Sequence, residues 1–292
     1  MSGGRSLASC LSRLPGKAAW LSALFAAALF FVSQAAYGQA SIAEPPAPAV
    51  VNPMSPQMEA LQRARLSVDK FFEQSTNVVC TENVSQAVLG KNGKVSYRED
   101  SVFDYQLQST DNSGALKLVE SRDTRKAAFR DSSRTLLITN GFTGMLLILH
   151  PMFESSYTFE SAGQDSVDGV TYTKVNFHAV PGSASPAALQ LRGRNYALPF
   201  SGTIWIEPQS GAVAKLVASL DSSLEDLGIK EMRSEIHYAI VHFHEPEESY
   251  WMPVSAVIDF ASARQHWRNV HRFTGYKRFR ATIRVENLEA KP

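Results

Sequence analysis

The sequence has little cysteine, no surplus of either charge and only one long apolar run, and each shortage excludes a class of protein. Its two cysteines are Cys10 and Cys80, and loss of an N-terminal leader would leave Cys80 alone, which excludes a disulfide framework. The 29 basic and 28 acidic residues nearly cancel, whereas binding to nucleic acid depends on a basic surplus. We therefore expect neither a disulfide-stapled domain nor a nucleic-acid-binding protein.

The common signatures of enzymes and metal sites are also missing. The sequence contains no Gly-x-Ser-x-Gly elbow, no phosphate-binding glycine loop, no paired Cys-x-x-Cys and no His-Glu-x-x-His. His242 and His244 would share one face of a strand, but two imidazoles fall short of the three or four ligands of a typical zinc site. We therefore nominate no catalytic residue, no metal site and no cofactor.

The N-terminus has the pattern of a secretory signal peptide. Arg5, Arg13 and Lys17 precede an apolar run over residues 18–32, and Gly38 and Ala40 are the small residues of a cleavage site. The run of about 15 residues is shorter than the ~20 that cross a bilayer as a helix. We expect residues 1–40 to be removed, leaving an exported, periplasmic or secreted protein of 252 residues with no transmembrane segment.

The composition predicts a short tether and then one folded domain. Residues 41–54 are rich in proline and alanine, which favours an extended, disordered tether. Ser55 as N-cap, Pro56 at the first helical position and apolar residues at helical spacing predict one amphipathic helix over residues 55–74. Its apolar face requires a partner, and the following sheet is the only large candidate.

From residue 77 onward the pattern is that of antiparallel β structure. About ten or eleven strands alternate with turn residues, and no helix–strand alternation typical of parallel sheets appears. The fold class predicted for residues 55–290 is α+β, mainly β: a single strongly curved antiparallel sheet, an unclosed barrel, with the helix packed on its concave face. Residues 182–199 are predicted to be a loop, and the apolar stretch 135–150 is either helix or strand. Cys80 is predicted to be buried beside Val78.

Large aromatic side chains lie on the helix and on several predicted strands. A curled sheet has an apolar concave face that a helix, a lid or a ligand must cover. We therefore predict that a ligand cavity between sheet and helix is lined by Phe71, Phe72, Trp205, Trp251 and Phe260. The alternative is that these side chains simply fill the core.

A basic run closes the sequence and has two interpretations. Its residues are Arg264, Arg268, Arg272, Lys277, Arg278, Arg280 and Arg284. They either protect an exposed strand against edge pairing or form a patch for an anionic partner in the cell envelope.

Two short segments resemble the Lol-type periplasmic lipoprotein carriers (LolA/LolB-like). One is the hairpin Gly202-Thr-Ile-Trp-Ile-Glu-Pro-Gln-Ser-Gly211, and the other is the strand start Tyr250-Trp-Met-Pro-Val254. The resemblance implies an unclosed β-barrel whose concave side, covered by helices, holds acyl chains or a peptide. This chain is longer than the carriers, and no cationic residues match their docking role.

Together these observations predict an exported, non-catalytic binding protein that holds a hydrophobic ligand, either a lipid or a lipoprotein acyl chain, between sheet and helix. The alternative is an interaction or sensor module of the envelope with a filled core that acts through its surface. The number of copies in the assembly is left open by the sequence.

Overall fold

The computed structural model describes residues 54–74, 77–112, 115–126, 139, 141–167, 169–191, 193–244 and 247–278. The predicted signal peptide and all of the predicted tether except Met54 lie outside these residues. Within the described ranges, no helix is both long and apolar enough to span a bilayer.

The helix predicted from the sequence is confirmed as α1, Pro56–Gln74. Ser55 caps it, since its carbonyl accepts the N–H of Glu59 at 3.0 Å and its hydroxyl lies 3.4 Å from the N–H of Met58. One face of α1 is buried, and its members recur at helical spacing: Ala60, Leu61, Ala64, Val68, Phe71 and Phe72. The opposite face is exposed, as at Leu66. The amphipathic pattern therefore orients α1 onto the sheet.

The described part of the chain contains twelve antiparallel strands, ten of them in one sheet. They are β1 Val78–Leu89, β2 Val95–Asn112, β3 Ala115–Lys126, β4 Tyr157–Val167, β5 Val170–Ala179, β6 Ala188–Leu191, β7 Arg194–Ala197, β8 Phe200–Ile206, β9 Val213–Leu220, β10 Ile229–His244, β11 Glu247–Ser262 and β12 His266–Arg278. The order in the large sheet is β3-β2-β1-β12-β11-β10-β9-β8-β5-β4. The predicted fold class is confirmed, because the sheet is antiparallel and its edge strands β3 and β4, as far as they are described, do not pair with each other.

The sheet curls around α1. The helix contacts β2 near one edge of the sheet and β4, β5 and β8 near the other. One helix reaches both ends of a ten-stranded sheet only if the sheet bends around it, and twisted sheets of this width curl for the same reason. The concave face therefore carries the core.

A segment between β3 and β4, here called the inner segment (residues 141–156), also packs on the concave face. It forms two short 3₁₀ helices, Gly144–Leu149 and Pro151–Ser156, and its apolar residues 145–149 are all buried. The hydroxyl of Tyr238 donates to the carbonyl of Phe142 at 2.8 Å. Within the ambiguous stretch 135–150, residues 144–149 are thus helical, while residues 135–138 and 140 lie outside the described ranges.

The strand β12 corrects one interpretation of the basic run. It lies between β1 and β11 in the middle of the sheet, so its charges do not protect an edge. Arg268 pairs with Asp259 at 2.7 Å and Arg278 pairs with Glu248. Residues Arg280 and Arg284 lie outside the described part of the chain.

Two local predictions have different outcomes. Residues 182–199, predicted to be a loop, contain the two-stranded sheet β6–β7; strands of four residues are too short to show a periodic pattern. The burial of Cys80 beside Val78 is confirmed, with relative exposures of 4% and 0%. Burial raises the pKa of the Cys80 thiol to about 12, so the thiol is inert at neutral pH.

Candidate functional site

A cavity of about 330 Å³ lies between the second half of α1, the inner segment and the first residues of β9 and β11. Four parts of the chain line it: Ser67, Val68, Lys70 and Phe71 of α1, Leu146, Ala212 with Val213, and residues 248–251. Its volume falls at the lower end of the range for small-molecule sites. The cavity thus lies where the sequence placed a ligand, between sheet and helix.

The floor of the cavity is apolar and rigid. Val68, Phe71, Leu146 and Val213 line it and are each less than 9% exposed. The ring of Phe71 meets that of Tyr250 edge-to-face at a centroid distance of 6.0 Å. Such packed aromatic pairs hold a wall in place.

The rim carries a hydrogen-bonded ion pair. The guanidinium of Arg278 binds the carboxylate of Glu248 and lies over the ring of Tyr250, 5.6 Å from its centroid. The hydroxyl of Tyr250 donates to the same carboxylate at 2.8 Å. Glu248 therefore has its charge compensated, and the ring of Tyr250 is fixed at the mouth.

The five aromatic residues predicted to line a cavity lie at four places. Phe71 and Trp251 line the cavity described above. Phe72 is buried and borders a second hollow of about 370 Å³ on the other side of α1, beside His150. The structure thus brings together two of the five.

The remaining two lie away from the cavity. Trp205 follows buried Ile204 and precedes buried Ile206, so it lies on the outer face, where its indole N–H donates to Asp165 at 3.0 Å. Phe260 pairs with Trp267 across β11 and β12. It is nine residues beyond Trp251, about 30 Å along a strand at ~3.3 Å per residue.

A second cluster, made of polar and charged side chains, is buried on the concave face. None of its members is among the site residues predicted from the sequence. The guanidinium of Arg122 binds both carboxylate oxygens of Glu82, with Nη2 at 2.6 Å from Oε1. His271 Nδ1 lies 2.8 Å from Glu82 Oε1, and His271 Nε2 lies 2.7 Å from the hydroxyl of Thr139. Glu82 and His271 are at most 1% exposed.

The protonation states in this cluster follow from its contacts. Burial alone would raise the pKa of Glu82, but hydrogen bonds from His271 and Arg122 outweigh burial and keep it below the ordinary value. Glu82 is therefore an ionised acceptor, so His271 carries its proton on Nδ1 and accepts the hydroxyl hydrogen of Thr139 on Nε2. Burial lowers the pKa of His271, which keeps the imidazole neutral.

Hydroxyl, imidazole and carboxylate in this order also occur in hydrolase triads. Here Thr139 is 7% exposed and His271 is 1% exposed, and neither lines the two cavities described above. A nucleophile needs a cleft in which a substrate meets it. The geometry therefore supports a buried structural cluster that ties β1, β3 and β12 to the segment before Phe142.

A signal for this cluster is present in the sequence. Strand alternation puts Glu82 on the same face as Val78 and Cys80, and His271 on the face opposite Arg268 and Arg272. A carboxylate and an imidazole at inward positions require partners. The sequence does not show that β1 and β12 are neighbours, because they are 189 residues apart at these positions.

Among the described residues, no group of three or more His, Cys, Asp or Glu side chains is placed to hold a metal ion. His242, one of the two histidines considered for such a site, instead lies 2.8 Å from the hydroxyl of Ser249 through its Nδ1.

Comparison with known proteins gives a remote likeness of fold. No protein-family model and no curated protein matches the sequence. Similar solved structures include a DUF1329 family protein from Desulfovibrio piger, with a TM-score of 0.37 and 9% identity over 82% of this chain and 96% of that one. A domain described as an outer membrane lipoprotein-sorting protein from Vibrio parahaemolyticus has a TM-score of 0.38 and 8% identity over 78% and 95%. The LolA superfamily protein NE2245 from Nitrosomonas europaea has a TM-score of 0.35 and 14% identity over 78% and 96%.

Proposed function

We propose that this protein is an exported, non-catalytic binding protein that holds a hydrophobic ligand, a lipid or a lipoprotein acyl chain, in the cavity between α1 and the sheet. The observation that carries the proposal is the cavity of about 330 Å³ with an apolar floor and a few polar groups at its rim. Ligand sites have this composition, because apolar walls supply affinity and a few polar groups fix orientation. Export is inferred from the N-terminal pattern of the sequence.

Phe71 and Trp251 are the two predicted aromatic residues that would contact this ligand. Both belong to the cavity lining, and Phe71 is held by neighbouring rings on two sides, Phe72 at 5.1 Å and Tyr250 at 6.0 Å. Burial of an acyl chain against such a wall contributes about 0.8 kcal/mol per methylene. The ligand therefore needs no hydrogen bond along its tail.

Titration with the apolar fluorescent dye N-phenylnaphthylamine tests this proposal. Ser67 lines the cavity from α1, whereas its neighbour Leu66 is 70% exposed and does not belong to the lining. Ser67→Trp fills the cavity and is expected to abolish saturable dye binding, while Leu66→Trp, the matched control, retains it. Absence of saturable binding in the unsubstituted protein, or equal binding by both variants, would count against the proposal.

A second function is supported by a different observation: α1 and the inner segment fill most of the concave face. On this interpretation the protein is an interaction or sensor module of the envelope that acts through its outer surface. The dye titration separates the two, because a module with a filled core has no saturable apolar site.

A further inference from the structure

One cation at the rim of the cavity has no opposite charge. Lys70 lines the cavity, its side chain is exposed, and within the described residues it makes no ion pair. Across the mouth, the carboxylate of Glu248 is already bound by Arg278 and Tyr250. The rim therefore carries one uncompensated positive charge.

A hydroxyl group lies on the same side of α1. Ser67 is three residues before Lys70, so the two side chains are neighbours on the helix surface, with Cβ atoms about 5–6 Å apart. Both line the cavity, and the Ser67 hydroxyl has no hydrogen-bond partner among the described residues. An ammonium and a hydroxyl at this spacing are two donors within reach of one small anion.

The nearest acidic residues on α1 point elsewhere. Asp69 lies 3.3 Å from the imidazole of His150, and with Glu73 it borders the second hollow on the other side of the helix. Glu73 follows Lys70 by three residues and is therefore its neighbour on the helix surface, so its charge weakens the field of Lys70, although the two side chains form no ion pair.

The volume of the cavity gives an approximate length for the acyl tail of the ligand. A water molecule occupies about 30 Å³ in the liquid, and a methylene group is of similar size, so 330 Å³ holds roughly ten such groups. A single acyl chain of about ten carbons therefore matches the volume of the cavity.

We propose that the ligand is a single-chain anionic amphiphile of the fatty-acid class. Its carboxylate binds Lys70 and Ser67 at the mouth, and its tail lies against Val68, Phe71 and Val213. This inference rests on the proposed function and adds the charge of the headgroup and the approximate length of the tail.

Isothermal titration calorimetry at low ionic strength with decanoate, decanol and decylamine tests the inference, because the three probes share one tail. Decanoate is expected to bind about fivefold more tightly than decanol, the upper end of what an exposed ion pair contributes, and decylamine more weakly than either. Added salt should remove the preference.

Variants of Lys70 identify the source of the preference. Lys70→Gln should bind decanoate and decanol equally, whereas Lys70→Arg should keep the preference. The matched control is Lys230→Gln: Lys230 is also exposed, and it lies eleven residues along β10 from Val241, the partner of Tyr250, about 35 Å away.

The outcomes separate this inference from the function on which it rests. Equal affinity of the unsubstituted protein for decanoate and decanol, or a preference that persists in Lys70→Gln, overturns the anionic headgroup and leaves the binding function intact. Failure of all three probes to bind overturns both.

Discussion

At the scale of single residues, Glu82 and Arg122 form an ion pair whose carboxylate is fully buried. The guanidinium reaches Glu82 across β2, where it lies 5.9 Å from the ring centroids of both Phe103 and Tyr105. Removal of one partner of such a pair leaves an uncompensated buried charge, at a cost of about 3–5 kcal/mol. Glu82→Gln should therefore lower the free energy of unfolding in urea by about this amount.

The matched control is an exposed ion pair on β2. Arg98 and Asp100 are 3.1 Å apart, with side chains more than 60% exposed. Asp100→Asn should change the free energy of unfolding by less than about 1 kcal/mol. Equal effects of the two substitutions would mean that the Glu82 pair is not desolvated as described.

His271 makes stability depend on pH. Its pKa is lowered by burial, so the unfolded chain takes up a proton near the ordinary value of 6.5 while the folded protein does not. Stability should therefore fall as the pH decreases below about 6.5, with a slope that approaches 1.4 kcal/mol per pH unit. The lowered pKa of Glu82 also makes stability fall with decreasing pH, but only below about pH 4.5, the ordinary pKa of a glutamate side chain.

Urea unfolding between pH 8 and pH 5 measures this slope. His271→Asn should flatten it. All other histidines are present in both the unsubstituted protein and the variant, so their contributions cancel when the two slopes are subtracted. An unchanged slope in His271→Asn would contradict the assignment of a neutral buried imidazole.

The site could be predicted only in part at this scale. The aromatic character of Phe71 and Trp251 predicts that they line a cavity between sheet and helix, and both line the cavity found there; that it holds a ligand stays a prediction. The same reasoning predicts that Trp205 lines the cavity, but its alternation with buried Ile204 and Ile206 directs its side chain outward. The role proposed for Lys70 depends on Glu248 being bound by Arg278, a contact between residues that no local pattern connects.

At the scale of elements, the turn between β8 and β9 fixes α1 on the sheet. Gly211 has a φ of +73°, and a Cβ atom there would lie 2.4 Å from the carbonyl carbon of Arg63. The side chain of Arg63 donates to the carbonyl of Pro208 at 2.7 Å. The helix backbone and the turn are thus in direct contact, which only glycine permits.

Gly211→Ala should therefore destabilise the protein by more than backbone strain alone. Gly228 is the matched control, since its φ is +72° and a Cβ atom there would meet no described atom within 4 Å. Gly228→Ala should cost about 1 kcal/mol for the positive φ, and Gly211→Ala about 2 kcal/mol or more beyond that for the overlap. Thermal or urea unfolding measures both, and similar losses would contradict the close approach.

Elements were predictable in proportion to their length and periodicity. The 19 residues of α1 carry a cap and a helical pattern, and β1 alternates buried and exposed residues through most of its length. The inner segment has neither signal, because its residues 145–149 are all buried and a wholly apolar run has no period. It packs against α1, β3 and β4.

At the scale of the whole molecule, the unclosed barrel depends on one long-range pairing. The first strand, β1, lies beside the last, β12, with Val78 opposite Arg278. This pairing leaves β3 and β4 as the two edges, and α1 with the inner segment occupies the space that they enclose. The fold class was predictable from turn spacing and strand number, whereas the strand order was not, because pairing between distant strands leaves no local trace.

The central claim is that the cavity between α1 and the sheet retains a hydrophobic ligand. The most direct test is organic extraction of protein purified without detergent from exported material, followed by mass spectrometry of the extract. A stoichiometric single-chain lipid should be recovered from the unsubstituted protein and from Leu66→Trp, but not from Ser67→Trp. Recovery of no lipid from any of the three, or of equal amounts from all three, would contradict the claim.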